Sequence, residues 1–337
     1  TIVVQPGTYH ENVAFNGKVV ELRSKDPADP QIVQATVITA LGSGSVVTFA
    51  GTEWPFAALR GLTITGGNAY RGGGVCGNGT LATIDRCVVD NNVAGSGGGA
   101  GIWNCAGTIS NCVISRNVAA GAGGGLSSCP GITSDCLITQ NRASSGDGGG
   151  VATASGTLLN CRIVENTGSH GGGVAGGIGS LIGCTIADNV AVNGGGGFSE
   201  FNGTLSNCII TRNRQCAIYD GAVTMVHCTV VANDGAAIYS GGPHTVRKII
   251  LAHNYPYNVH LPYDGITFDH SCIEGGVRTM ALYSDTVTWC DGNIFLEPGF
   301  AFGDDYHLLP GSPCIDAGVD SQVETDCEGR ARRLGGG

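Results

Sequence analysis

Glu165 and Asp188 are the residues whose types and spacing come nearest to a catalytic arrangement. Each stands four residues after a cysteine of a recurring series, so in a repeating structure the two carboxylates occupy equivalent positions on neighbouring repeats. Carboxyl groups about 5 Å apart are the arrangement of a retaining glycosidase. Arg142, Arg212 and Arg214 would then hold an anionic substrate, and Ca²⁺ with a uronate is an alternative ligand for the pair. The competing interpretation is an exposed ladder of ion pairs. We favour it, because structural ion networks are common and resemble functional sites.

A second set of candidates precedes or follows runs of glycine. Asp147, His170 and Asn193 each stand directly before such a run, so the first two are predicted to be neighbours, with Asn193 beside them. An Asp-His pair next to a flat glycine floor could orient a general base or bind a sugar. Phe198 and Glu200 follow the third run and are candidates to line the same face. Turn chemistry is the alternative, because Asp and Asn favour corners without any ligand.

The elements that position these residues come from a repeat of 20 to 25 residues. The repeat contains a column of cysteines, at Cys87, Cys112, Cys136, Cys161, Cys184, Cys208 and Cys228. Five residues after each cysteine stands an asparagine, at Asn92, Asn117, Asn141, Asn166, Asn189, Asn213 and Asn233. An apolar residue two after each cysteine shares its face of a short strand. We expect the cysteines to pack inward, the asparagines to form a hydrogen-bonded turn ladder, and the glycine runs to mark another corner.

This period, with short strands and no helical pattern, predicts an all-β fold. The expected architecture is a right-handed parallel β-helix, a solenoid of roughly ten to twelve coils with three short strands per coil. We divide it into N-terminal coils and cap (1–61), regular coils (62–260), and irregular C-terminal coils with a closing segment (261–337). The three parts are expected to form one continuous domain.

Composition and charge exclude several classes of function. The chain has 337 residues, of which 58 are glycine and only 13% are charged, and its net charge is −10. No basic stripe is present, so the sequence does not indicate nucleic-acid binding. No apolar run approaches the length of a membrane span, and no signal peptide is present. Both ends look cut, so we expect any sorting signal to have been lost with them.

The motif CxIxxNxAxxxGGG, as in residues 112–125, resembles the right-handed β-helix repeats of bacterial surface and secreted proteins. It is also similar in style to polymorphic outer-membrane-protein repeats. The opening TIVVQPGTYHENV resembles the first coil of pectate-lyase-like β-helices, and residues 291–318 resemble the closing segment of many such proteins. The resemblance implies an extracellular, cell-surface or periplasmic protein. It does not imply one activity, because the fold hosts lyases, hydrolases, adhesins and structural proteins.

Fifteen cysteines, an odd number, leave at least one thiol without a partner in the chain. Cysteines stacked on neighbouring coils point in parallel, which disfavours bridging within the column. Cys314 with Cys327, outside the regular coils, is the better disulfide candidate in an oxidising compartment. The cysteine spacing does not indicate a zinc site, and no other metal site stands out.

Two classes of function remain open. The first is a secreted or surface β-helix with a structural, adhesive or glycan-binding role, whose partners are a polysaccharide, a cell-envelope glycan or other surface proteins. The second is a polysaccharide lyase or glycoside hydrolase acting on an acidic glycan. No cofactor is required by the sequence, and Ca²⁺ is the one candidate. The regular coils and the absence of a distinct catalytic cluster favour the first class.

Overall fold

The structure, a computed structural model, describes residues 1–240, 242–262, 265–283, 287–301, 303, 305–318, 325–326 and 330. The chain is a right-handed parallel β-helix of about 12 turns, as the repeat predicts. Three parallel sheets run along its axis, and each coil adds a strand to each sheet. In sheet 2, for example, Val89 lies opposite Ile114, which lies opposite Ile138. Register is therefore kept from coil to coil.

The strands are short, and most have two to four residues. Sheet 1 contains Ile2–Val4, Glu21–Ser24, Ala58–Arg60, Thr83–Asp85, Thr108–Ser110, Ile132–Ser134, Thr157–Leu159, Ser180–Ile182, Thr204–Ser206, Thr224–Val226, His244–Arg247, Ile266–Asp269 and Val287–Trp289. Sheet 2 contains Gly7–His10, Thr36–Thr39, Thr63–Thr65, Val88–Asp90, Val113–Ser115, Leu137–Thr139, Arg162–Val164, Thr185–Ala187, Ile209–Thr211, Thr229–Val231, Ile250–Ala252 and Cys272–Ile273.

Sheet 3 is divided into two lanes along the regular coils, one on each side of the glycine corner. It contains Val13–Ala14, Val47–Thr48, Asn68–Ala69, Val75–Thr80, Val93–Ala94, Ile102–Cys105, Val118–Ala119, Leu126–Ser127, Arg142–Ala143, Val151–Ala152, Thr167–Gly168, Val174–Ala175, Val190–Ser199, Arg214–Tyr219, Ile238–Tyr239, Val259–Leu261 and Met280–Leu282. Strand Val190–Ser199 spans both lanes. Helix Pro30–Ala35 and the 3₁₀ helix Gly276–Thr279 are the helices of the described residues, and neither is long or apolar enough to cross a membrane.

Single residues with left-handed backbone form the corners on both sides of sheet 2. Asn160 (φ 51°) precedes strand Arg162–Val164, and Glu165 (φ 59°) follows it. The glycine corner is tighter. At Gly148 (φ 70°), a Cβ atom would lie 2.3 Å from the carbonyl oxygen of Val151, so only glycine fits there.

The cysteine column lies inside the solenoid. All seven of its side chains are buried, and all are free thiols. The sulfur of Cys161 lies 3.4 Å from the carbonyl oxygens of Thr133 and Leu159. Burial raises the pKa of the Cys112 and Cys208 thiols well above its usual value. These two thiols therefore pack the core in the neutral form rather than as nucleophiles.

The asparagines form an unbroken buried ladder. In each coil, the side-chain amide donates to the side-chain oxygen of the next asparagine at 2.9–3.0 Å, from Asn92 through to Asn254. The asparagines of the ladder do not themselves have left-handed backbone, although asparagine is often found in that conformation at turns. The residue before each asparagine takes that conformation, as Glu165 does before Asn166, and so turns the amide inward.

The outer face of sheet 2 is partly covered by the C-terminal segment. The hydroxyl of Tyr306 lies 2.6 Å from the hydroxyl of Thr211 and 3.3 Å from a guanidinium nitrogen of Arg212. The amide of Asn207 donates to the carbonyl of Thr325. Sheet 1 runs from strand Ile2–Val4 to strand Val287–Trp289 and so crosses all three predicted parts of the chain.

Candidate functional site

His170 and Asp147 form a hydrogen-bonded dyad at the glycine corner. Nδ1 of His170 lies 2.9 Å from Oδ1 of Asp147, and the backbone N–H of His170 donates to the same oxygen at 3.1 Å. Both side chains are about 40% to 46% exposed. The neighbouring glycines, Gly148 and Gly171, have left-handed backbone and fold the corner back on itself. The dyad thus stands at the surface with its imidazole orientation fixed by a carboxylate.

Gly194, one coil further along, creates a small cleft beside this dyad. A Cβ atom at Gly194 would lie 3.1 Å from Cδ2 of His170 and 3.3 Å from Cδ1 of Tyr219. The imidazole and phenol rings therefore approach Gly194 together. The hydroxyl oxygen of Ser199 lies 3.4 Å from the same point, and it is buried without a hydrogen-bond partner among the described residues.

An aromatic stack continues from this cleft along the axis, and we call it the aromatic track. It consists of Tyr219, Tyr239, His260 and Tyr283. Ring centroids are 4.9 Å apart between Tyr219 and Tyr239, 4.5 Å between Tyr239 and His260, and 5.5 Å between His260 and Tyr283. Tyr219 and Tyr239 are almost parallel, with 8° between their planes.

Strand register places the first three members of the track in one column of sheet 3. Tyr219 pairs with Tyr239, and Tyr239 pairs with His260. Burial lowers the pKa of His260 and raises that of Tyr219. The track therefore contains two side chains whose neutral form burial favours. It offers apolar ring edges with hydroxyl and imidazole groups at their tips.

The same column contains a tryptophan in an earlier coil, after which it becomes narrow. Trp103 lies beneath the guanidinium of Arg71, whose carbon is 4.4 Å from the ring centroid. Between Trp103 and Tyr219 the column contains only small residues, namely Ser127, Ala152, Ala175 and Ser199. Aromatic groups thus mark both ends of a narrow stretch, and the dyad stands beside it.

The two predicted catalytic carboxylates, Glu165 and Asp188, have different hydrogen-bond partners. Glu165 and Asp188 do follow paired strands on neighbouring coils, but each carboxylate is engaged elsewhere. The amide of Gln140 donates to Glu165 at 2.9 Å, and Arg212 donates to both oxygens of Asp188 at 2.9 and 2.8 Å. The arrangement is the polar ladder that was the competing interpretation.

The three predicted substrate-binding arginines do not converge. Arg212 is held by Asp188 and Tyr306, and the hydrogen bond that it donates to Asp188 raises its pKa. Arg142 and Arg214 are exposed and share a column of sheet 3, but Thr167 and Val190 stand between them. Arg212 is therefore occupied, and the other two lie three coils apart.

Phe198 is a further correction. It is fully buried and packs on Phe201 with ring centroids 5.6 Å apart, so it belongs to the core rather than to a substrate-binding surface. The reason is that strand Val190–Ser199 continues through the glycine corner, and its register pairs Phe198 with the buried residues Val174 and Ile218. Glu200 and Asn193 are exposed, and the backbone N–H of Asn193 donates to Ser169 beside the dyad.

Cys314 has a thiol neighbour in Cys272, which also lies outside the regular cysteine column. Its side chain forms a hydrogen bond with the thiol of Cys272, and both are free. The predicted partner, Cys327, lies outside the described residues. Residue 271 is equivalent to the cysteines of the column, and Cys272 stands one residue after it. Cys272 is therefore not a member of the regular column.

Comparisons with known proteins agree with the architecture. Residues 98–254 match the family model described as right handed beta helix region. The chain contains a right-handed β-helix. Two solved structures, both of the catalytic domain of a GH87 alpha-1,3-glucanase in complex with nigerose, align with 87% of this β-helix at 14% and 15% identity, each with a TM-score of 0.40. The chain spans 64% of the length of each. No curated protein matches the chain.

A concavity of this β-helix lies away from the dyad, at the C-terminal coils. It is an open cavity of about 760 Å³ whose lining includes Trp289, Phe295, Arg278 and Asp291. Trp289 stacks on Phe268 and meets the edge of Phe295. The cavity is wide and shallow, and its lining carries one arginine and one carboxylate. It does not bring together the acid and base groups that catalysis requires.

Proposed function

We propose that this protein binds a glycan chain along the aromatic track and the His170–Asp147 dyad. The observation that supports it is the meeting of His170 and Tyr219 around Gly194, where an oriented imidazole, a phenol and a glycine floor form one cleft. Pyranose rings present apolar C–H faces and hydroxyl edges. Tyrosine and histidine side chains match both, because each has an apolar body and a polar tip.

The dyad supplies the polar part of this recognition. The carboxylate of Asp147 accepts hydrogen bonds from sugar hydroxyls, and the free ring nitrogen of His170 donates or accepts according to its tautomer. Because both side chains are close to half exposed, a ligand reaches them without any movement of the corner.

The extent of the surface favours a polymer over a single sugar. Asp147 and Tyr283 stand six coils apart, which corresponds to roughly 29 Å along the axis at the usual strand spacing. Sites for small molecules are concave and enclose most of their ligand. An open row of side chains of this length instead fits an extended chain lying parallel to the axis.

A catalytic role is the second candidate, and the dyad is the observation that favours it. Asp147 fixes the His170 ring through Nδ1 and leaves Nε2 free, which is how a carboxylate prepares an imidazole as a general base. A lyase would use such a base to remove the proton beside a uronate carboxylate. Among the residues that the structure describes, Asp147 is the one carboxylate in an ion pair with His170, and for that reason we place binding first.

Secretion or cell-surface display belongs to the same proposal, since cell-envelope glycans and surface proteins are the partners expected for such a rod. The buried column thiols are compatible with an oxidising compartment, because their burial shields them from oxidants and from one another's exchange reactions. Ca²⁺ is included in the test below as the candidate cofactor for an acidic glycan.

The deciding experiment is affinity electrophoresis of the full chain through gels containing pectin, alginate or neutral polysaccharides, with and without Ca²⁺. We expect retardation by at least one polymer, and at least tenfold weaker binding in Tyr219→Ala and His170→Ala. Tyr9→Ala, on a different face, is the matched control and should bind normally. Unaltered migration of the folded wild type in every gel would contradict the proposal.

Turnover is followed in the same samples by ultraviolet absorbance for lyase products and by reducing ends for hydrolysis. Product formation that is abolished in His170→Ala would make the second candidate the correct one. Binding without products would support the first.

A further inference from the structure

Three metal-ligating side chains from successive coils meet near the corner that follows sheet 2. None of them belongs to the proposed glycan site. They are His253, Glu274 and Glu297. Nε2 of His253 lies 3.0 Å and 3.2 Å from the two carboxylate oxygens of Glu297, and 3.8 Å from Oε1 of Glu274. One ligand atom from each residue lies within 4.8 Å of the others. We propose that these residues bind a divalent transition-metal ion of the zinc type.

Each ligand is held in place by contacts of its own. The backbone N–H of His253 donates to Oε2 of Glu274 at 2.7 Å, which leaves Oε1 directed at the imidazole. The N–H of Gly299 donates to the carboxylate of Glu297. The His253 ring packs edge-on against Phe300, with centroids 6.2 Å apart. Such supporting contacts orient metal ligands before the ion arrives.

The corner itself directs His253 outward. His253 has left-handed backbone (φ 55°), like Glu165 and Asp188 at the equivalent corners of earlier coils. The carboxylates of Glu165 and Asp188 accept hydrogen bonds from Gln140 and Arg212. At the C-terminal coils this series of corner residues ends instead in an imidazole with two carboxylates. The composition of the series therefore changes where the three side chains meet.

The charges in this cluster are not balanced by the protein. Among the residues that the structure describes, His253 is the only cationic or potentially cationic side chain in an ion pair with Glu274 or Glu297. With neutral histidine, two carboxylates face one another across a few ångströms. A divalent cation bound between them would remove this repulsion, because its charge equals that of the two carboxylates.

Donor types and spacing favour zinc over the hard cations. Calcium and magnesium take oxygen ligands, whereas an imidazole nitrogen with two carboxylates suits zinc and its neighbours in the first row. In a tetrahedral site with bonds of 2.0–2.1 Å, ligand atoms stand about 3.3 Å apart. The separations of 3.0 and 3.8 Å bracket that value. Three protein ligands leave a fourth position for water.

Binding should also join the last coils to one another. The ligands come from three consecutive coils, in the part of the chain where the cysteine column has ended and the asparagine ladder reaches its last member, Asn254. An ion that binds only the folded state stabilises it by mass action. The melting temperature of the chelator-treated chain should therefore rise by a few degrees when zinc is added.

The test is calorimetric titration of Zn²⁺ into the full chain, after chelator treatment and with reductant present. We expect one ion per chain, at least tenfold weaker binding in His253→Ala and Glu297→Gln, and unchanged binding in the control His10→Ala. Ala232 has φ 54° at the position equivalent to His253 one coil earlier, so alanine fits this corner. Circular dichroism should show all variants folded.

Cobalt substitution identifies the ligands by a second measurement. The Co²⁺ complex should show visible d–d bands without a thiolate-to-cobalt charge-transfer band. A charge-transfer band that is lost in Cys272→Ser would assign the ion to the neighbouring thiols and overturn the proposal. Failure of the folded wild type to bind stoichiometric zinc, or equal affinity in His253→Ala, would overturn it as well.

Discussion

His170 and Asp147 stand 23 positions apart in the chain, yet their side chains meet at 2.9 Å. The pitch of the β-helix brings them together, because one coil advances the chain by a single strand spacing. A function assigned to this pair therefore depends on the regularity of the coils around it. The first prediction tests the cleft that this contact helps to form.

Gly194→Ala should weaken glycan binding by at least tenfold. The new methyl group would push apart the rings of His170 and Tyr219, which lie 3.1 and 3.3 Å from its position. Gly176→Ala is the matched control, because Gly176 also has positive φ (62°) but nothing lies within 4 Å of its Cβ position. Both variants should lose about 1–2 kcal/mol of stability through backbone strain. Equal binding by the two variants would show that the cleft is not used.

Substitutions at Cys161 should follow volume and charge. Cys161→Ser should cost least, since a hydroxyl can donate to the carbonyl of Thr133 or Leu159, and Cys161→Ala should cost little more. Cys161→Leu overpacks the lumen by about 1–3 kcal/mol, and Cys161→Asp buries a charge at greater cost. Thermal melts of the four proteins give the order. Identical melting temperatures would mean that the lumen is loosely packed.

Asn166→Ala should destabilise the chain by roughly 2–4 kcal/mol, because it leaves buried groups of Asn141, Asn189 and Ile138 without partners. Glu165→Ala, at the exposed residue just before it, is the control and should cost far less. Glycan affinity of the folded fraction should be unchanged in both. A loss of affinity at an unchanged melting temperature would make the ladder part of the binding site.

The inward positions were predictable from the sequence because a single period determines them. Cys161 and Asn166 recur in every regular coil, and no alternative fold places both columns consistently. The contacts of polar residues were less predictable. Glu165 and Asp188 do occupy equivalent corners, but their partners depend on which side chains the adjacent coils supply.

The aromatic track escaped prediction although a signal for it exists. Tyr219, Tyr239 and His260 each stand eleven residues after a column position, at 208, 228 and 249. Earlier coils have longer glycine corners, so there the same column stands more than eleven residues after the column cysteine. Counting along the sequence therefore does not reveal the column in those coils. Phe198 was assigned to the wrong face for a related reason, since counting from the glycine run does not show that a strand continues through it.

The metal cluster was hidden by the same irregularity. His253 lies in register, but Glu274 precedes its corner and Glu297 follows a coil that lacks the repeat. Only the packing of the last coils brings the three together.

Acid should destabilise the protein through His244. This imidazole is buried, accepts a hydrogen bond from the N–H of Val223, and has a pKa lowered by burial to about 4, against a modest opposing effect of Asp220. The unfolded chain binds this proton near pH 6.5 and the folded chain only near pH 4. Stability is therefore complete above pH 6.5 and falls by about 3 kcal/mol as the pH drops to 4.

Urea unfolding at a series of pH values measures this effect. His244→Asn keeps an acceptor for Val223 and removes the titration, so its stability should vary less between pH 6.5 and 4 than that of the wild type. Parallel pH profiles for the two proteins would contradict the assignment.

The asparagine ladder has a direction. Every amide from Asn92 to Asn233 donates toward the next coil and accepts from the previous one, so seven dipoles point the same way along the axis. Hydrogen bonds in such a chain polarise one another, and each link is strengthened by those on both sides. The solenoid thus contains an internal electrical polarity that its surface charges do not reveal. Removing an asparagine from the middle of the series should therefore lower the free energy of unfolding more than removing one at either end.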